Sequence, residues 1–179
     1  MALAPQPWDP SADTAPPGVC APDGYFLRAD SGPKFLVGGC VVRPLATRKE
    51  SEGKFSVFCV EGANAYAGRG LEGISLRFSE THHALQVVDG VVEVVIEGDR
   101  VRVGAAETVF VPAGKAWSMA VESIWAKWYV FANRGGIGEV VIGVGENYEW
   151  AVVPQVGDVG QLDKAKFEGL QDELGFAVV

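Results

Sequence analysis

The sequence predicts an all-β fold, an antiparallel sandwich or barrel, on three observations. Short runs rich in Val, Ile, Phe and Trp recur from residue 25 to about 144. Almost no helical periodicity separates them, and glycine-containing turn signals punctuate them. An Asp-Gly spacer also stands between two β-rich runs, the strongest short-range hairpin signal.

In order along the chain, residues 1–24 are rich in Pro, Ala and Asp and read as an extended arm. A single domain is expected over 25–179, since 179 residues suit one domain with a proper core. The expected strands are 35–42, 54–60, 74–79, 81–88, 91–97, 100–103, 107–111, 117–121, 125–132 and 139–144. Asp89-Gly90 is placed in a hairpin, and Gly98-Asp99 does the same one strand later. Near the end, 163–174 (DKAKFEGLQDEL) sets Ala165, Phe167, Leu170 and Leu174 on one helical face. Asp163 serves as its N-cap and Gly175 as its stop.

Composition removes several function classes. The formal net charge is −8 with scattered Lys and Arg, which argues against nucleic acid or an anionic membrane as partner. No apolar run approaches the roughly 20 residues that span a bilayer. The first residues, MALAPQPWDPSADTAPPG, have neither the basic start nor the apolar block of a secretory signal. The cysteines Cys20, Cys40 and Cys59 are sparse and lack a CxxC pair, so free thiols and a cytoplasmic location are expected. The glycine-rich EGANAYAGRGLEG has no P-loop lysine and reads as a mobile loop at a barrel mouth. From it Asn64, Tyr66 and Arg69 could touch a ligand.

Two blocks, THHALQVVDGVVEVVIEGD and AAETVFVPAGKAWSMAVESIWAKWYVFAN, together resemble the two short motifs of the cupin superfamily, a small jelly-roll barrel. Asp89-Gly90 and the Pro112-Ala113-Gly114 turn are the matching backbone marks. Upstream, PKFLVGGCVVRPLATRKESEGKFSVFCVEG resembles the lead-in of fungal quercetin-2,3-dioxygenase-like cupins, and the likeness runs over roughly 25–175. The resemblance implies a metal held by His-x-His, a Glu seven residues before the hairpin glycine, and a fourth ligand after Pro-x-Gly. Here the Glu slot falls on His83 and the last slot on Trp117. The two histidine slots fall on Leu76 and Phe78, or on Arg77 and Ser79 with a shorter spacer. Three of the four ligands are therefore absent, and His82 and His83 are the chain's only histidines.

Alternation on a strand sends His83, Leu85 and Val87 inward if His83 takes the Glu slot, with His82 outward. On the same parity Arg77, Ser79 and Thr81 point inward, so the interior would hold one cation, hydroxyls and one imidazole. His83 then reads as a general acid/base, and Arg77 as a fork for a phenolate, enolate or carboxylate. Trp117 is assigned to the pocket wall with Met119, Tyr129 and Tyr66, and Lys127 is either a pocket group or a rim group.

These readings converge on a metal-independent cupin enzyme of secondary metabolism. It would act on a planar polyketide- or terpenoid-like intermediate by dehydration, isomerisation, cyclisation or a pericyclic step. No cofactor is expected. The alternatives are a quercetinase-like dioxygenase with a transition metal on His83 and Glu80 or Glu93, and a non-catalytic small-molecule-binding cupin. A homodimer is expected, since paired barrels cover exposed edge strands.

Overall fold

The computed structural model describes residues 27, 32–65, 69–150, 153–154 and 162–179. The expected arm at 1–24, Cys20 and Tyr66 lie outside them. Two antiparallel sheets face one another across a shared core. One holds seven strands in the order β11-β1-β2-β3-β10-β5-β8, the other five in the order β12-β4-β9-β6-β7. The strands are β1 Phe35–Val37, β2 Cys40–Ala46, β3 Phe55–Gly62, β4 Leu76–Phe78, β5 His83–Asp89 and β6 Val91–Ile96. They continue with β7 Asp99–Gly104, β8 Thr108–Val111, β9 Ala116–Val121, β10 Ala126–Asn133, β11 Glu146–Asn147 and β12 Phe176–Val178. The helices are α1 Ile137–Val144, α2 Lys164–Gly169 and α3 Gln171–Leu174. This is the all-β jelly roll the sequence predicts.

The core is built from alternate residues of each strand, as the period of two requires. Phe58, Val60, Leu85, Val87, Trp128 and Val130 of the seven-stranded sheet meet Leu76, Phe78, Trp117, Met119, Val121, Val92 and Val94 of the other. The C-terminal helical segment forms largely as expected. Asp163 accepts the Ala165 N–H at 3.0 Å, and Gly175 adopts the left-handed stop with φ of 68°. The segment breaks at Leu170 into two short helices rather than one.

Two expectations are corrected. Residues 139–144 form no strand but lie in α1. Their β-branched content suggested a strand, yet Ile137, Val140, Val141 and Val144 share one helical face and are all buried. Burial of that face overrides the weak propensity. The Asp89-Gly90 pair also makes no hairpin. β5 pairs with β10 and β8, while β6 pairs with β7 and β9, so the turn is a corner between the sheets. Gly90 is required there: its φ is 78° and a Cβ would lie 2.2 Å from the Trp125 carbonyl oxygen. The true hairpin is one strand later, where Glu97 and Gly98 both have positive φ between paired Ile96 and Asp99.

Candidate functional site

The four positions that would carry a cupin metal come together at the interface of the sheets. Leu76 and Phe78 on β4, His83 on β5 and Trp117 on β9 are each at most 2% exposed. Leu76 is Trp117's partner in the ladder. The His83 ring lies 4.8 Å from Phe78 and 5.1 Å from Trp117 between centroids, and Phe176 stacks on Phe78 from β12 at 5.5 Å.

Of the two sequence alternatives, the structure selects Leu76 and Phe78 as the inward pair and corrects the other. Arg77 and Ser79 face outward and are exposed. Alternation fails at the bends of Ser79 and Glu80, which insert one extra residue between inward Phe78 and inward Thr81. Arg77 instead sits outside, 3.9 Å from Glu97. Thr81, His83 and Leu85 are inward as expected, with Met119 and Trp117 opposite on β9.

Lys127 and Tyr129 need a similar correction. Their strand neighbours Trp128 and Val130 point into the core, so these two lie on the outer face of the seven-stranded sheet. Lys127 pairs with Glu61 at 2.7 Å, and this hydrogen bond holds its ammonium pKa above the ordinary lysine value. Buried Cys59 faces outward beside them, opposite Arg43, and burial raises its thiol pKa. In the barrel interior Cys40 is pushed up to about 12 by burial, so it packs as a small hydrophobe. Of the loop residues, Asn64 donates to the Glu122 carbonyl at 2.7 Å and Arg69 pairs with Glu72.

His83 is held by contacts the sequence does not announce. Its Nε2 accepts the backbone N–H of Ile137, the first residue of α1, at 3.1 Å. The link leading there, Arg134-Gly135-Gly136, has three consecutive positive φ angles. A Cβ on Gly136 would lie 2.4 Å from His83 Nε2, so glycine lets the backbone approach the imidazole. Burial first, and the neighbouring His82 second, lower the His83 pKa to about 3. The positive end of α1, whose first N–H meets Nε2, also disfavours an imidazolium. The ring is therefore neutral at pH 7, and with Nε2 accepting, its proton resides on Nδ1. That Nδ1, with the indole Nε1 of Trp117 and of Trp128, is buried without a hydrogen-bond partner among the described residues.

His82 is exposed and structural in its contacts. Its Nδ1 accepts the Ala113 N–H at 3.0 Å in the Pro112-Ala113-Gly114 turn, and its ring stacks on Phe110 at 5.6 Å. Adjacent imidazoles thus tie down two distant backbone segments.

The donor set does not suit the metal that the fold implies. Leu76 and Phe78 offer no lone pair, Trp117 offers only an N–H, and His83 Nε2 already accepts a hydrogen bond. Glu80 faces outward on Arg134, and Glu93 faces outward on Arg100 at 2.9 Å, so neither reaches His83. Among the described residues, no three His, Cys, Asp or Glu side chains are grouped to hold a metal ion.

The Ile137 N–H is the member of the site that the sequence did not reveal, because the link to α1 had no local sequence signal.

No family model matches the chain. It is 24% identical over 131 residues to the quercetin 2,3-dioxygenase of Bacillus subtilis (strain 168), covering 73% of this chain. The chain spans only 37% of that protein. Among solved structures, Streptomyces PAC13 with uridine matches at a TM-score of 0.52 and 12% identity, over 71% of this chain and 92% of that one. A predicted oxalate decarboxylase from Thermotoga maritima matches at 0.51 and 11%, over 62% and 99%. KdgF from Halomonas sp. matches at 0.50 and 14%, over 62% and 93%. At these identities the structural matches speak for the fold.

Proposed function

We propose that this chain, which belongs to the cupin superfamily, is a metal-independent cupin acting on a planar small molecule by non-oxidative chemistry. One observation carries the reading. The four positions where a cupin holds its metal are filled by Leu76, Phe78, His83 and Trp117, packed ring to ring with the one imidazole lone pair already engaged. A planar polyketide- or terpenoid-like intermediate fits such aromatic surroundings. Dehydration, isomerisation, cyclisation or a pericyclic step needs orientation and exclusion of water rather than a redox centre.

The neutral state of His83 changes the role first expected of it. With a pKa of about 3 the ring takes up no second proton at neutral pH, and it acts as a fixed donor through its one N–H instead. Arg77 lies outside the interior, so it is not part of the reacting group's surroundings.

Elemental mass spectrometry on untagged protein, paired with turnover of a panel of planar polyketides after exhaustive chelation, tests the reading. Substoichiometric metal with chelator-resistant turnover supports it. One transition metal per chain with chelator-sensitive oxygen uptake refutes it in favour of a dioxygenase. Tight binding without turnover replaces the enzyme with a binding module. A homodimer and a cytoplasmic location belong to the same proposal, supported by the aromatic outer sheet face and the free thiols Cys40 and Cys59. No helix among the described residues is long and apolar enough to cross a membrane.

A further inference from the structure

We infer that the Nδ1–H of His83 and the Nε1–H of Trp117 form a donor pair that receives an uncharged acceptor oxygen, such as that of a ketone, quinone or lactone. The inference rests on the metal-independent reading above and names the ligand chemistry of that site.

Both N–H groups are buried, neither has a partner among the described residues, and their rings lie 5.1 Å apart between centroids. A buried donor left unpaired costs on the order of 1–3 kcal/mol. Two such groups on neighbouring rings are an expensive arrangement unless something accepts from them. The tautomer is what makes His83 a donor here. The Ile137 N–H occupies Nε2, so the neutral ring can only offer its proton from Nδ1.

The surroundings choose among acceptors. A water molecule accepting from both N–H groups would need acceptors for its own hydrogens, and neither Phe78 beside His83 nor Leu76 beside Trp117 has an acceptor side-chain atom. A carboxylate would bring a buried charge, and the one cation placed there by sequence, Arg77, is on the outside. An oxygen that only accepts and carries no net charge avoids both penalties. The apolar and aromatic side chains around it then suit the planar remainder of the ligand.

The test uses three bicyclic probes of similar size: chromone, which carries one ketone; naphthalene, which carries no acceptor; and 2-naphthoate, which carries a charge. Proton–nitrogen correlation spectra of the full chain follow the indole N–H signals, assigned by single Trp→Phe variants. Long-range spectra follow the His83 ring. The expected result is chromone binding with downfield movement of Trp117 Hε1 and His83 Hδ1. Trp117→Phe should weaken chromone about tenfold, the effect of one lost hydrogen bond, with naphthalene changed by less than about twofold.

The ratio of the two probes keeps the comparison valid if the variant is loosened, and His83→Leu, whose side chain has no N–H, gives a second donor deletion. The inference is overturned if chromone fails to bind at millimolar concentration, if 2-naphthoate binds more tightly, or if Trp117→Phe weakens chromone and naphthalene alike. It is also overturned if chromone moves only the exposed indoles, Trp125 and Trp150. Each of these leaves the metal-independent reading standing, because metal content decides that separately.

Discussion

Replacing His83 by glutamine should flatten the acid limb of the protein's stability curve. In the unfolded chain the imidazole has its ordinary pKa of 6.5, and in the folded protein about 3. Above 6.5 neither state binds the proton, so this group adds no pH dependence. Between 6.5 and about 3 the unfolded state takes up a proton that the folded state refuses. Stability therefore falls as pH falls, by about 1.4 kcal/mol per pH unit. Below about 3 both states are protonated and the contribution levels off. The full loss is on the order of 5 kcal/mol, comparable with the lower end of a domain's total stability.

His83→Gln keeps an oxygen able to accept the Ile137 N–H but removes the titration. Urea unfolding of both proteins, measured from neutral pH down to about pH 4, reads the slope. Glu72, held low by Arg69, and Glu97, held low by the Ala116 N–H, also lose stability in acid. They do so in both proteins, so the difference isolates His83. The ring's other close neighbours, Phe78 and Trp117, do not titrate in this range, and His82 is retained in both chains. The expected outcome is a difference of close to one proton between the two slopes. Parallel curves would mean that His83 takes up its proton in the folded state, and the neutral-donor argument would collapse.

Three further outcomes follow from the packing. Gly138→Ala would place a Cβ 1.6 Å from Phe58 Cε2, so despite a better helix residue it should cost about 2–3 kcal/mol. Calorimetry should show a melting temperature lower by roughly 4–12 °C, and an unchanged value would mean that α1 does not seat on Phe58. Glu61→Gln breaks a partly exposed outer pair with Lys127, so a cost below about 1 kcal/mol is expected, with chromone binding unaltered. Light scattering at working concentration should give the mass of two chains, falling to one in Phe131→Arg, since Phe131 is 41% and Phe110 57% exposed on the same sheet face. A wild-type monomer would reject the dimer.

The parts of this fold that depend on local chemistry were legible in the sequence. Asp163 and Gly175 set the limits of a helical segment because a side-chain cap and a left-handed glycine act within one turn. The strand runs were legible because alternation and β-branching mark a half-buried surface. What failed depended on partners. Asp89-Gly90 encodes a reversal of backbone direction, but not whether the next strand pairs beside the last or crosses to the other sheet. Residues 139–144 are Val-rich in either conformation, and only the buried face shared with Ile137 decides for helix. Arg77 and Ser79 were assigned inward by continuing a parity that the two bends at Ser79 and Glu80 interrupt.

The candidate site divides along the same line, between where the imidazole sits and what holds it. Spacing from Gly90 located His83 among Leu76, Phe78 and Trp117, because a strand's period fixes which residues share an interior. Spacing could not say what the imidazole does. That is set by Ile137, which lies 54 positions away in sequence and reaches His83 only because Gly136 admits the backbone. One hydrogen bond from that amide occupies Nε2 and leaves the proton on Nδ1, the arrangement on which the proposed donor role rests. His82, next in the chain, has the opposite arrangement, accepting through Nδ1 from Ala113. The adjacent histidines thus differ in tautomer as well as in exposure. Nitrogen chemical shifts of the two rings read that difference directly, and finding the His83 proton on Nε2 would undo the assignment of donors on which the ligand chemistry stands.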